Sequence, residues 1–246
     1  MSAMKTHLSG WQKGDKCSFH LSEEVHVWKI HLKIDPEEQA TLWKYLNSEE
    51  QKRANRFHFE KDRLAYIAVR GHLRELLSRY LKINAADLRF DYNPYGKPFL
   101  KEYSIEFNVS HSNQWGLIAL DSRYPLGVDV EWMRPDFAGL KIARRFFSAR
   151  ETEELKRLPD ELQEKGFFNG WTRKEAYIKA RGEGLHIALN SFDVTLSPGE
   201  EPRLLSTRRE PQDYRNWRLY ALSIAKRYAA ALMVSRRRTA IRLFSL

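Results

Sequence analysis

With 246 residues, 42% of them hydrophobic and 13% aromatic, the chain can build a sizeable core, and its 30% charged fraction excludes a disordered protein. Lys and Arg number 42 against 32 Asp and Glu, a net charge of +10, so phosphates, nucleic acid, anionic membranes or acidic proteins are the expected partners. Cys17 is the single cysteine, which excludes an intramolecular disulfide and a thiolate metal cluster and suits a reducing compartment. Met1 to Asp15 lacks the apolar run of a secretory signal, and no stretch approaches the ~18 apolar residues of a membrane span, so a soluble, cytoplasmic protein is expected.

Along the chain, the alternation of Val25, Val27, Trp28, Ile30, Leu32 and Ile34 predicts an opening strand. Pro36-Glu37-Glu38 starts a short helix toward Leu46. A long helix is predicted from about Asp62 to Leu81, where Leu64, Ile67, Ala68, Leu73, Leu76, Leu77 and Tyr80 recur at helical spacing under an Arg-rich polar face. Asn93-Pro94-Tyr95-Gly96-Lys97-Pro98 is a loop by composition. Strands are expected at Ile105 to Val109, Gly116 to Asp121 and Gly127 to Glu131, with Pro125 near the middle of the molecule. Helices over Ala149 to Leu158 and Glu161 to Ala180 follow, the second ended by Gly182-Glu183-Gly184. Strands at Phe192 to Leu196, Trp217 to Ile224 and Tyr228 to Val234 complete the reading, and Arg236-Arg237-Arg238 is too short a run to argue for nucleic acid.

Three carboxylates carry the chemistry. In a strand over Gly127-Val128-Asp129-Val130-Glu131, Asp129 and Glu131 share one face and Val128 and Val130 the other. Two adjacent carboxylates repel, and a hard divalent cation between them resolves the repulsion. A half-exposed strand with a polar outer face fits the same pattern. Glu175 falls on a helical face with Phe168, Trp171 and Ile178, where a buried carboxylate needs a partner. That partner is either Lys179, four residues on, in a plain ion pair, or a metal.

For phosphate, Ser110-His111-Ser112 offers hydroxyl and imidazole groups at a strand end, and Tyr95-Gly96-Lys97-Pro98 offers close backbone approach and a positive charge. Each of these also reads as an ordinary turn. Neither a Walker-type Gly-Lys motif nor G-x-G-x-x-G occurs.

The order of these motifs is more specific than any one of them. Gly96-Lys97-Pro98 is followed by Phe107-Asn108-Val109-Ser110-His111-Ser112 and then Gly127-Val128-Asp129-Val130-Glu131. Arg145-Phe146-Phe147-Ser148 with Glu151 comes next, then Trp171-Thr172-Arg173-Lys174-Glu175-Ala176-Tyr177-Ile178-Lys179. From about Ser48 to Val194 the chain resembles the surfactin-synthetase-activating (Sfp-type) 4′-phosphopantetheinyl transferases. The resemblance implies an α+β fold of two similar α/β halves related by pseudo-twofold symmetry, residues 1–125 on the nucleotide side and 126–246 on the metal and carrier side, with the active site in the cleft between them. It implies transfer of the 4′-phosphopantetheine arm of coenzyme A to a serine of an acyl or peptidyl carrier protein, releasing 3′,5′-ADP.

By matching positions, Asp129, Glu131 and Glu175 resemble ligands of Mg2+, with Mn2+ as a substitute. Arg53, Gly96, Lys97, Pro98, Ser110, His111, Lys174 and Lys179 resemble contacts to coenzyme A. Glu151 falls where the family places a proposed general base, and Lys179 where it would serve the departing phosphate. Glu50 stands where some relatives have a lysine, with Arg56 or Arg70 as replacements. Gly184 to Phe192 resembles the carrier-docking segment, with Leu185, Ile187 and Leu189 as apolar contacts. A monomer is expected, with no nucleic-acid or membrane partner. The rival activity is a metal-dependent nucleotide phosphohydrolase, which shares the acidic and basic residues.

Overall fold

The computed structural model describes residues 6–134, 139–238 and 240–246. In chain order the first half contains β1 (His7–Leu8), β2 (Gln12–Lys13), β3 (Glu24–His31), α1 (Pro36–Tyr45), α2 (Ser48–Ala54), α3 (Glu60–Leu81), β4 (Asp91–Tyr92), β5 (Pro98–Phe99), β6 (Glu106–Ser112) and β7 (Trp115–Asp121). The second contains β8 (Leu126–Trp132), α4 (Gly139–Phe146), α5 (Ala149–Arg157), α6 (Asp160–Arg181), β9 (Phe192–Val194), β10 (Leu204–Thr207), β11 (Trp217–Leu222), β12 (Tyr228–Ser235) and β13 (Ala240–Ser245).

Local chemistry sets the helix ends. Asp35 caps α1 by accepting from Glu38 N at 2.8 Å, ahead of Pro36 at the first helical position. Asn47 and Glu50 form a reciprocal capping box on α2. Gly182, at φ 70°, ends α6 in the left-handed conformation that glycine adopts without steric cost.

Two sheets, ordered β2-β13-β3-β7-β6 and β1-β11-β12-β8, form the body of this α+β molecule. Side-chain alternation assigns their faces. Val25, Val27, Leu117 and Ala119 of the larger sheet share a core with Leu126, Val128, Val130, Tyr220, Leu222 and Leu232 of the smaller. The other face of the larger sheet, with Trp28, Ile30, Phe107, Ile118 and Leu120, packs on Ala68, Leu73, Leu76 and Leu77 of α3. On the smaller sheet, Leu219, Ala231 and Met233 pack on Ala176, Tyr177, Ile178 and Ala180 of α6. The layers therefore run α3, sheet, sheet, α6, each sheet losing apolar area from both faces.

Where β6 and β8 meet, the edges of the two sheets are joined by side chains instead of a backbone ladder. Asn108 Oδ1 accepts from Val128 N at 2.9 Å, Ser110 Oγ from Val130 N at 3.3 Å and Ser112 Oγ from Trp132 N at 3.1 Å. The period of two on both strands keeps these three bonds in step.

The structure departs from the sequence reading at several points. β6 continues through Ser110-His111-Ser112, which composition placed at a strand end, because these residues pair with Leu117, Gly116 and Trp115 of β7. Helices α2 and α4 and strand β13 were not expected. The terminal strands also cross the expected 125/126 division. β13 runs parallel to β3 in the larger sheet, and β1 runs parallel to β11 in the smaller one. Of the three arginines before β13, Arg238 is 1% exposed and makes a bidentate pair with Asp121, both contacts 2.7 Å. That pair anchors the returning chain to the end of β7.

Candidate active site

The site is built where α6 crosses β8. Gly127 makes the crossing possible: a Cβ there would lie 2.1 Å from Ala176 O and 2.4 Å from Ala180 N, so any larger residue would force helix and strand apart. Two residues along β8, Asp129 points to the α6 side, opposite Ala231 of β12; Glu131 follows opposite Ala229. On α6, Glu175 and Lys179 sit one turn apart, half-buried, beside residues that enter the core.

Lys179 Nζ donates to Asp129 Oδ1 at 2.6 Å and to Ser110 Oγ at 3.1 Å. Ser110 Oγ in turn donates to Asp129 Oδ1 at 2.8 Å, and Ser112 Oγ to Glu131 Oε2 at 2.9 Å. Of the two partners the sequence leaves open for Glu175, Lys179 is engaged elsewhere: it belongs to Asp129, across the helix–strand seam. Asp129 Oδ2 is buried without a hydrogen-bond partner.

The electrostatics of the cluster are those of crowded acids. Burial, with repulsion from Asp129 and a smaller push from Glu131 against relief from Lys179, raises the Glu175 carboxyl to about 7 from 4.5. Burial and the Asp129 charge raise Glu131 as well, against hydrogen bonding from Ser112 and the charge of Lys179. An orphaned buried carboxylate oxygen on Asp129, beside two carboxyls that burial and the Asp129 charge both raise, fits a hard divalent cation in charge and donor chemistry. Among the described residues, no three His, Cys, Asp or Glu side chains already stand as a ready-made chelate.

A pH test follows. The folded chain holds the Glu175 proton more tightly than the unfolded chain, so the accompanying stabilisation is complete below pH 4.5 and is lost as the pH rises through about 7. With a chelator present, the melting temperature of the wild type should fall relative to that of Glu175→Gln between about pH 5 and about pH 8. The difference should be equivalent to about 3 kcal/mol at most. A difference that stays flat with pH contradicts the raised carboxyl.

The phosphate-side residues divide. Ser110 is 7% exposed and bonded to Asp129, so it lies within the acidic cluster. His111 keeps part of its surface open to solvent, yet the protein packed around it and the Lys179 charge lower its pKa, against an opposing pull from Asp62. Gly96, at φ 85°, turns the loop between β4 and β5. Asn93 organises that loop. Its Oδ1 accepts from Tyr95 N and Lys97 N, both at 2.9 Å, and its Nδ2 donates to Gly182 O at 2.7 Å, docking the loop on the end of α6. Burial lowers the Lys97 pKa against the pull of Glu106, and Lys97 Nζ lies 3.5 Å from Leu126 O. Pro98 opens β5, paired with Tyr92. Arg53 is exposed at the end of α2, its guanidinium 5.5 Å from the centre of the Tyr66 ring. Glu50, the departure from the lysine of some relatives, is a buried structural acid bonded to Arg70 and, at 2.6 Å, to Arg74 Nε. Arg70 is thereby committed to Glu50, whereas Arg56 is exposed beyond α2.

Glu151 and Lys174 are not brought to the cluster. Both side chains are 0% exposed and paired with each other at 2.7 Å. Glu151 also accepts from Ser148 N at 2.9 Å and Val194 N at 2.8 Å. Lys174 Nζ donates to Leu189 O and Phe192 O, both at 2.7 Å. These contacts correct the expectation that Glu151 takes a substrate proton and that Lys174 meets the pyrophosphate: the pair holds α5 and α6 to the segment entering β9. In the expected docking segment, Leu185 is 75% exposed, but Ile187 and Leu189 are 6% and 4% exposed and belong to the core, so only Leu185 offers an apolar surface.

Known proteins match the sequence that builds this site. Residues 125–233 match the family model of the 4′-phosphopantetheinyl transferase superfamily, and residues 33–123 match that of the 4′-phosphopantetheinyl transferase N-terminal region. The chain is 41% identical over 188 residues to the 4′-phosphopantetheinyl transferase HetI of Nostoc sp., covering 75% of this chain and 79% of HetI. It is 33% identical over 164 residues to the 4′-phosphopantetheinyl transferase Sfp of Bacillus subtilis, covering 66% and 72%. The human L-aminoadipate-semialdehyde dehydrogenase-phosphopantetheinyl transferase is 30% identical over 167 residues, covering 62% and 53%. The chain belongs to the 4′-phosphopantetheinyl transferase family and is a transferase of that type. No helix among the described residues is long and apolar enough to cross a membrane.

Proposed function

We propose that this enzyme transfers the 4′-phosphopantetheine group of coenzyme A to a serine hydroxyl of an apo acyl or peptidyl carrier protein in a Mg2+-dependent reaction, with Mn2+ able to substitute. The observation that carries this reading is the meeting of Asp129 and Glu131 from β8 with Glu175 and Lys179 from α6, beside Ser110. Asp129, Glu131 and Glu175 would hold the cation, which would supply charge neutralisation for the diphosphate and its leaving group. Phosphoryl transfer asks the protein mainly for positioning and charge neutralisation. Lys179 supplies the nearest protein cation and exchanges its contact with Asp129 for the diphosphate. His111 and Ser110, with the Gly96-Lys97-Pro98 loop and Arg53, bind the nucleotide end of coenzyme A.

The carrier serine oxygen attacks the phosphorus that bears the pantetheine arm. A new P–O bond forms, the bond to the departing 3′,5′-ADP breaks, and the hydroxyl proton passes to solvent water. With Glu151 enclosed, no step is routed through it. We place the site in a cleft between two halves related by a pseudo-twofold axis, a reading supported by the α3, sheet, sheet, α6 order of layers. A monomer suffices, because one chain carries both sides of the seam. A cytoplasmic setting suits a protein with a single cysteine, and the +10 charge suits an acidic carrier. Mass spectrometry of several apo-carriers mixed with enzyme, coenzyme A and Mg2+ tests the reading. The expected result is a gain of one phosphopantetheine on serine. Consumption of coenzyme A at the same rate without any carrier would favour a hydrolase instead.

A further inference from the structure

We infer that Ser112 is a positioning residue that fixes the carboxylate of Glu131 for cation binding. The inference rests on the assignment of Asp129, Glu131 and Glu175 as cation ligands. Its geometry is independent of any phosphate role for the Ser110-His111-Ser112 stretch. Because β6 stays extended through Ser112, the side chains of Ser110 and Ser112 both face β8, and each spans the seam in the same way. Each hydroxyl accepts from the backbone N–H of one β8 residue and donates to the carboxylate of the residue before it. For Ser112 these are Trp132 N at 3.1 Å and Glu131 Oε2 at 2.9 Å.

The pairing decides where the hydroxyl proton goes. A serine hydroxyl has one proton to give, and the bond from Trp132 N–H occupies an oxygen lone pair, so the proton is directed at Glu131. Oε2 is thereby held against β6, and the other oxygen of the carboxylate is left for the ion. Ligating carboxylates are oriented by such partners, whose loss typically weakens metal affinity by about 10–100-fold. Asn108, one step back on β6, makes the backbone half of this bridge with Val128 N at 2.9 Å, and among the described residues no hydrogen bond to a carboxylate accompanies it. It therefore separates orientation of the ligand from integrity of the seam.

The experiment compares Ser112→Thr with Ser112→Val, side chains of the same shape that both suit a strand, one with a hydroxyl and one without. Mn2+ alone is titrated into each protein and the free ion is followed by electron paramagnetic resonance, well below the melting temperature of every variant. The Thr variant should bind Mn2+ close to the wild-type affinity and the Val variant about 10–100-fold more weakly. Asn108→Ala should remain near wild type. Equal affinity of the Thr and Val variants overturns the inference, as does a loss in Asn108→Ala matching that of the Val variant, which would mean that loosening of the seam is responsible. If the wild type itself takes up no Mn2+, the cation assignment fails first and this inference falls with it.

Discussion

Asp129→Asn should lower the rate of phosphopantetheine transfer by about a thousandfold or more, with the melting temperature within a few degrees of wild type. Asp129 stands at the centre of the cluster. Its Oδ1 receives Lys179 and Ser110, its Oδ2 is buried with no partner, and its charge is the strongest of those acting on Glu175. Asparagine preserves the shape and an oxygen that accepts from Ser110 and Lys179, but it removes the charge that holds a divalent ion. A thousandfold loss corresponds to about 4 kcal/mol of transition-state stabilisation, within the range that cation-assisted charge neutralisation provides. Stability should change little, because Lys179 loses an ionic partner while Glu175 and Glu131 lose a repulsive neighbour. Single-turnover transfer to an apo-carrier, with a parallel Mn2+ titration, measures both halves of the expectation. Normal turnover by Asp129→Asn would remove the cation site from the mechanism.

The second large effect is on stability. Glu151→Ala should destabilise the fold by about 3–5 kcal/mol, because it leaves the fully buried Lys174 ammonium without its counter-ion. For a chain of this size that corresponds to a fall in melting temperature of roughly 10 °C. Burial already lowers the Lys174 pKa and the Glu151 carboxylate opposes that shift, so removing Glu151 should drive Lys174 toward its neutral form. The double variant Glu151→Gln/Lys174→Met should be less destabilised than Glu151→Ala, since an apolar replacement of a buried pair avoids the uncompensated charge. Thermal unfolding of the three proteins measures this. A Glu151→Gln protein with wild-type stability and a collapsed kcat would restore Glu151 as a proton acceptor.

Both effects were unequally legible beforehand. The Asp129–Glu131 face follows from strand alternation alone, and the structure keeps it: Val128 and Val130 enter the core between the sheets, and the acids face α6. The place of Glu175 on α6 was legible from helical spacing, but its partner was not. A four-residue separation leaves Lys179 as one of two candidate partners, whereas that ammonium crosses to Asp129. For Glu151 the local sequence carries a signal of its structural role. Ser148-Ala149-Arg150-Glu151 has the spacing of a capping box, and the structure forms one, with Ser148 Oγ accepting from Glu151 N at 3.2 Å. Composition ends the strand at Val109 and leaves Ser110 to Ser112 beyond it, because serine and histidine are common in turns. Their pairing with β7 is a long-range contact that composition does not record.

Sequence alone settles which residues alternate, about where α1, α3, α5 and α6 begin and end, and which side chains carry charge, because these follow from backbone periodicity and local capping within a few residues, whereas the short helices α2 and α4 escape it. The order of the motifs along the chain was enough to place it in its family. Only the tertiary structure decided that β13 returns to the first sheet, that Gly127 admits α6 close enough to carry Glu175 and Lys179 to Asp129, and that Glu151 is enclosed while Glu175 is not. Those outcomes depend on which surfaces exclude water from which charges, and burial is a property of segments far apart in sequence meeting in space.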